Sequence, residues 1–287
     1  MQRRCTIEQI MYMSLALSRT FLMAPNQTLL NTIVPAGEAN PFFYFSDGHD
    51  IALGLLTDGF APFKKCDKMC WPIILFNYNL PPEICFQKKY CIHIATVLGP
   101  KKPWNWDSFC WPLVQELIQL ELSVKAFNMI SQALFSLHTY LILAIGDIPA
   151  VALIMHMKGQ NAIKPCQICN IKGICFNSHM NYVPLRRDKI PRAIPSQYDP
   201  SDLPIHTYEK LMQQAHNVEM ASNNATHERL AKEHGIKGIP VLNSLSSISF
   251  PSSFPFDFMH LIWENLIPNL TEFWTGEFKD LDHQDQG

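Results

Sequence analysis

Apolar positions fall into short blocks punctuated by Pro, Gly and Asn. Residues 51–58, Ile-Ala-Leu-Gly-Leu-Leu-Thr-Asp, read as a buried strand closed by Asp58-Gly59. Residues 71–78 and 91–98 are rich in β-branched and aromatic side chains and are bounded by Pro81-Pro82 and Gly99-Pro100, which predicts two more strands. Three strands in succession suggest an antiparallel meander. Asp107 then stands as the cap of a helical pattern in which Leu113, Leu117, Leu120 and Val124 recur at three- and four-residue spacing, and this helix is expected to cover the sheet. Residues 139–145 form a fourth strand ending at Gly146-Asp147. A helix follows over 148–157, with Pro149 tolerated in its first turn. The predicted order is strand, strand, strand, helix, strand, helix.

The pattern lapses between 158 and 250, where Pro, Gly, Asn, His and Cys interrupt it and only one polar helix, about 207–235, is expected. This stretch behaves as an insertion. Apolar helical periodicity resumes over 256–270, a run that contains both His260 and Glu264. Ahead of the first strand, residues 1–45 read as an amphipathic helix over 10–23 followed by irregular chain and an aromatic run, Phe42 to Phe45. The expected organisation is thus 1–45 helical and irregular, 46–157 the first part of a core, 158–250 the insertion, and 251–287 a returning core helix. Glu8 and Arg19 interrupt the likeness of the N-terminus to a signal peptide. Residues 139–155 are apolar but carry Asp147 and Pro149 near their middle, so a strand and turn are expected there and not a membrane span.

Composition narrows the classes. A chain of 287 residues with 47% hydrophobic content can bury a sizeable core. With 23 Lys plus Arg against 25 Asp plus Glu, no overall positive field draws in a polyanion, so any nucleic-acid contact must be local. Nine cysteines at irregular spacing point to a reducing compartment and to thiols or a metal site, not to a disulfide framework.

Three acids punctuate the apolar segments: Asp58, Asp147 and Glu264. Carboxylates on such elements are costly to bury unless something cationic binds them, and a pair of divalent ions is the leading candidate. One acid on the first strand, one at the end of the fourth and one on a later helix is what two-metal phosphoryl transfer needs. The plainer alternative makes Asp58 a turn residue, Asp147 a helix N-cap and Glu264 a surface charge. A second constellation is the Cys-x2-Cys of Cys166 and Cys169, half of a tetrahedral zinc site, with Cys175, His179 and His260 available to complete it; its plainer alternative is a pair of free thiols in a loop. Cys66 and Cys70 read as ordinary thiols. No Walker loop, nucleophile elbow or dinucleotide fingerprint is present.

The segments Leu-Thr-Asp-Gly-Phe-Ala-Pro-Phe, Cys-Trp-Pro-Ile-Ile-Leu-Phe-Asn-Tyr-Asn-Leu-Pro-Pro-Glu, Leu-Gly-Pro-Lys-Lys-Pro, Gly-Asp-Ile-Pro-Ala, Pro-Cys-Gln-Ile-Cys-Asn and Phe-Asp-Phe-Met-His-Leu-Ile-Trp-Glu-Asn resemble, in this order, the CACTA (En/Spm-type) transposases. The resemblance implies an α/β protein with an RNase H-like core, a mixed sheet with flanking helices, interrupted by an insertion holding a zinc knuckle. It implies a nuclear DNA transposase that cleaves and joins strands with Mg²⁺ or Mn²⁺, acts on transposon ends and target DNA, and can form homo-oligomers. Carried over by motif, Asp58, Asp147 and Glu264 become the catalytic metal-binding acids, with Asp257 the alternative third acid. Cys166, Cys169 and His260 become ligands of a structural Zn²⁺. Such enzymes carry more sequence on both sides than is present here, so the competing expectation is a catalytically silent zinc-binding or interaction module.

Overall fold

The fold is described from a computed structural model for residues 44–63, 68–99, 102–159, 162–176, 179–182, 198–199 and 201–277. The helix expected over 10–23, the aromatic residues Phe42 and Phe43, and Cys66 lie outside the described residues, as do the side chains of Cys175 and His179.

A four-stranded sheet carries the site. Strand β1 (Ile51–Thr57) is buried along almost its whole length, which is the position that a continuous apolar run dictates for a central strand. It pairs antiparallel with β2 (Met69–Asn77), which pairs antiparallel with β3 (Ile92–Gly99). The meander expected from the sequence is present. A single helical turn, α1 (Pro82–Cys85), follows the Pro81-Pro82 break. Strand β6 (Thr139–Ile145) lies on the other side of β1 and runs parallel to it, so the order is β3-β2-β1-β6 and the sheet is mixed.

Helix α2 (Trp106–Leu122) packs Trp106, Cys110, Leu113, Val114 and Leu117 into the core shared with β1 and β6. Its cap is Asn105, whose side chain accepts from Ser108 N–H at 3.1 Å, and not Asp107 as expected. Asp107 ties the helix sideways instead: its carboxylate accepts from Val241 N–H at 3.0 Å and lies 3.0 Å from Nε2 of His156. The helix ends at Ser123, which takes φ 109°, so Val124 does not continue it. Val124 opens a hairpin that the sequence reading did not anticipate, β4 (Val124–Asn128) and β5 (Ala133–Leu137). Helix α3 (Ile148–Ile154) follows β6 with Pro149 in its first turn, as expected.

Within 158–250, a short hairpin of β7 (Ile174–Phe176) and β8 (His179–Asn181) follows the Cys-x2-Cys turn. The single polar helix resolves into two, α4 (Tyr208–Glu219) and α5 (Asn224–His234). Asn223 supplies a new cap by accepting from Thr226 N–H at 2.8 Å, and Gly235 at φ 78° closes α5. Leu211, Ala215, Ile236, Leu242, Leu245, Ile248 and Phe250 join the core of β1 and β6, so this stretch packs as part of one hydrophobic body.

The chain returns to the sheet along β6. Glu121, near the end of α2, accepts from the backbone N–H and the hydroxyl of both Ser246 and Ser247. Ser247 Oγ also lies 2.7 Å from Leu141 O, and Ala144 N–H donates to Ser253 O at 2.9 Å. The expected helix over 256–270 is displaced and widened: a π-helix (Met259–Leu266) leads into α6 (Ile267–Thr275). No helix among the described residues is long and apolar enough to cross a membrane.

Candidate functional site

Register brings the first two acids together. In the parallel pair β1–β6 the last partners are Leu56 and Ile145, and Asp58 and Asp147 each lie two residues beyond them. Adjacent strands run roughly 5 Å apart, so two chains leaving the same sheet edge in step deliver their acids side by side. Gly146 permits this approach. A Cβ there would lie 2.7 Å from the Thr57 carbonyl oxygen and 2.8 Å from Cβ of Ala150, so the backbone before Asp147 sits directly against the backbone before Asp58.

The third segment enters from the far end of the chain. Asp257 precedes the π-helix and turns back on it: Oδ1 accepts from Met259 N–H at 2.8 Å, and Oδ2 lies 2.6 Å from Nδ1 of His260. Nε2 of His260 is 3.9 Å from Oε2 of Glu264, one turn further on. The wide turns of a π-helix are a common mark of functional sites.

Electrostatics join these residues into one cluster. Asp58 is pushed up to about 6, first by burial and then by the neighbouring charge of Asp147. Asp147 is itself raised by burial, but less freely, because its carboxylate caps α3 by accepting from Ala150 N–H at 2.7 Å. The charge of Asp147 opposes the ionisation of Asp58. Asp257 adds to the repulsion on both, and His260 relieves it on both. His260 is raised to about 9, principally by its hydrogen bond with Asp257, so the ring is cationic at neutral pH. Asp257 is the acid of this segment whose charge reaches Asp58 and Asp147, whereas Glu264 acts on His260.

The structure thus brings together Asp58, Asp147, Asp257 and His260, with Glu264 beside His260. The N-cap assigned to Asp147 in the plainer reading is also real, so that residue serves the helix and faces the cluster at once. Among the described residues no three of His, Cys, Asp and Glu stand close enough together to hold a metal ion as they are.

His260 does not lie free for the thiols, since both of its ring nitrogens face carboxylates. Cys166 and Cys169 form a turn of their own. Sγ of Cys166 accepts from the N–H groups of Ile168 at 3.4 Å and Cys169 at 3.3 Å. Cys169 is buried, and burial pushes its thiol up to about 11. His206, not singled out from the sequence, is buried beside this turn with Nε2 3.3 Å from Cys166 O. Burial lowers its pKa.

No curated protein matches the chain. A family model described as transposase family tnp2 matches residues 38–197, a span that includes Asp58, Asp147, Cys166 and Cys169 and ends before Asp257. That match covers more than half of the 287 residues, and the chain belongs to the tnp2 transposase family.

Proposed function

We propose that this chain carries the catalytic core of a nuclear DNA transposase of the CACTA type, built on an RNase H-like sheet and acting by divalent-metal-dependent strand cleavage and strand transfer at transposon ends. The observation that carries the reading is the pairing of Asp58 and Asp147 at one edge of the sheet, where burial and mutual repulsion disfavour two charges unless a cation joins them. The donor set fits Mg²⁺ or Mn²⁺, hard ions that prefer carboxylate oxygen. A bound cation would cancel the repulsion, so these carboxylates are expected to draw together on binding.

Asp58 and Asp147 would hold the metal, and Glu264 would complete the donor set. Asp257 has both oxygens engaged, by Met259 N–H and by the ring of His260, and serves to fix that ring. Glu264, at 46% side-chain exposure, keeps its carboxylate available to turn inward. His260 contributes a positive charge among the acids. When bound, the metal ions supply activation of the attacking hydroxyl and stabilisation of the leaving oxygen. In cleavage, a water oxygen bonds to phosphorus as the bond to the 3′ oxygen breaks; in transfer, the freed 3′-hydroxyl oxygen bonds to the phosphorus of a second phosphodiester as that phosphorus loses its own 3′ oxygen, which takes up the proton and leaves as a hydroxyl.

Structural Zn²⁺ at Cys166 and Cys169 belongs to the same proposal, supported by the N–H groups directed at the Cys166 sulfur. His260 is assigned to the acid cluster and not to this zinc.

The test is nicking of duplex DNA in Mn²⁺ or Mg²⁺ by the wild-type chain and its Asp147→Asn variant. Asn is as good an N-cap as Asp, so α3 keeps its start while the metal loses a charged ligand. Metal-site catalysis supplies several kcal/mol, so the variant should lose at least about 100-fold in rate. Equal, metal-dependent rates in both proteins would remove Asp147 from the chemistry.

A further inference from the structure

The Cys166–Cys169 turn and the segment that carries Asp257 are far apart in sequence, yet one buried side chain joins them. Gln167 lies between the two cysteines, is only 5% exposed, and its Nε2 donates to the carbonyl of Phe254 at 2.9 Å. Phe254 is fully buried and lies three residues before Asp257. The preceding carbonyl, of Ser253, is taken by Ala144 N–H of β6, three residues before Asp147. Two consecutive carbonyls are therefore pinned, one by the strand that delivers Asp147 and one by the cysteine turn. The chain then turns at Asp257, whose carboxylate holds Met259 N–H and the His260 ring.

A buried amide with no partner costs free energy, and an apolar side chain of the same length would fill this space without that cost. The amide is explained by the bond it makes. We propose that Gln167 is a positioning residue: from within the cysteine turn, its amide fixes the Phe254 carbonyl and so sets the place of the Asp257–His260 turn beside Asp58 and Asp147. This assignment makes the Cys-x2-Cys segment a mechanical support of the acid cluster in addition to any metal it holds. It deepens the proposed function and rests on that reading for its catalytic meaning.

The experiment compares wild type, Gln167→Met, which keeps the length and removes the donor, and Leu117→Ala, a core substitution in α2 that leaves the Gln167 amide in place. Two measurements are made: hydrogen exchange of the Met259, His260 and Leu261 amides against those of β1, and Mn²⁺ affinity by titration calorimetry. Gln167→Met should accelerate exchange at those three amides about tenfold beyond any change in β1 and weaken Mn²⁺ binding by about tenfold. Leu117→Ala should change exchange in both regions together. If Gln167→Met merely lowers stability in the same uniform way as Leu117→Ala, with Mn²⁺ affinity unchanged, Gln167 is a packing residue and the proposal fails. Should wild type itself bind no Mn²⁺, the proposed function fails and the amide comparison alone decides the positioning role. If Gln167→Met does not fold, Gln167→Asn, too short to reach Phe254 but still polar, carries the same comparison.

Discussion

Asp58 and His260 answer to pH in the same direction but over different ranges. The carboxyl of Asp58 is raised from the ordinary 3.8 to about 6, so the folded state prefers it neutral. Its contribution to stability is full below pH 3.8 and is lost as pH rises through 6. His260 is raised from 6.5 to about 9, so the folded state prefers it charged, and that contribution is full below pH 6.5 and lost as pH rises through 9. Metal-free protein should therefore show two separate declines in melting temperature with rising pH. Asp58→Asn should shrink the lower decline, to which Asp147 also contributes, and leave the upper; His260→Gln should remove the upper and leave the lower. Thermal melts across pH 4 to 10 in chelator check this, and a single decline insensitive to both substitutions would disprove the coupled cluster. Asp58 and Asp147 are legible in the sequence because each ends an apolar run at an Asp beside a Gly. The grip of Asp257 on His260 is not legible, since it depends on how the chain turns just before the helix.

Among the elements, β1 and β6 do the placing, and Gly146 is where they meet. A Cβ at 146 has no flexible neighbour to displace: it would meet the Thr57 carbonyl at 2.7 Å and Cβ of Ala150, at the head of α3. Gly146→Ala should thus push apart the two backbones that carry Asp58 and Asp147, lowering stability by about 1–3 kcal/mol and abolishing metal-dependent nicking. Chemical denaturation and the nicking assay read both effects; a variant with wild-type activity would show that close approach is not needed. The strands of the main sheet were legible because they are short apolar blocks between strong breakers. The β4–β5 hairpin was not: Phe127, Met129, Ile130 and Leu134 are half or more exposed, so its apolar residues carry no signal of a core face. The division of α4 from α5 escaped notice because Ser222-Asn223 is polar like the helices around it, and only the cap geometry marks the break. The π-helix was hidden for a related reason, as an apolar run does not reveal whether its turns close over four residues or five.

At the scale of the whole molecule, the acid cluster is assembled from three distant stretches, around residues 58, 147 and 257–264, and exists only when the chain is folded. That property separates the catalytic reading from a silent zinc-binding or interaction module with the same sheet. A ligand that binds the folded state alone stabilises it by mass action, by about 2.7 kcal/mol at a concentration 100 times its dissociation constant. For a protein of this size that corresponds to a rise of roughly 4–5 °C in melting temperature. Mn²⁺ should produce such a rise in the wild-type chain, and the rise should shrink sharply in Asp58→Asn and Asp147→Asn, because each removes a ligand and relieves the repulsion that the ion would otherwise cancel. Zn²⁺ should stabilise all three proteins alike, since Cys166 and Cys169 form a separate turn. Differential scanning fluorimetry with each ion in turn resolves the two readings: Mn²⁺ shifts of equal size in the three proteins, or in none, would leave the chain with the fold of its family but without the metal chemistry proposed for it.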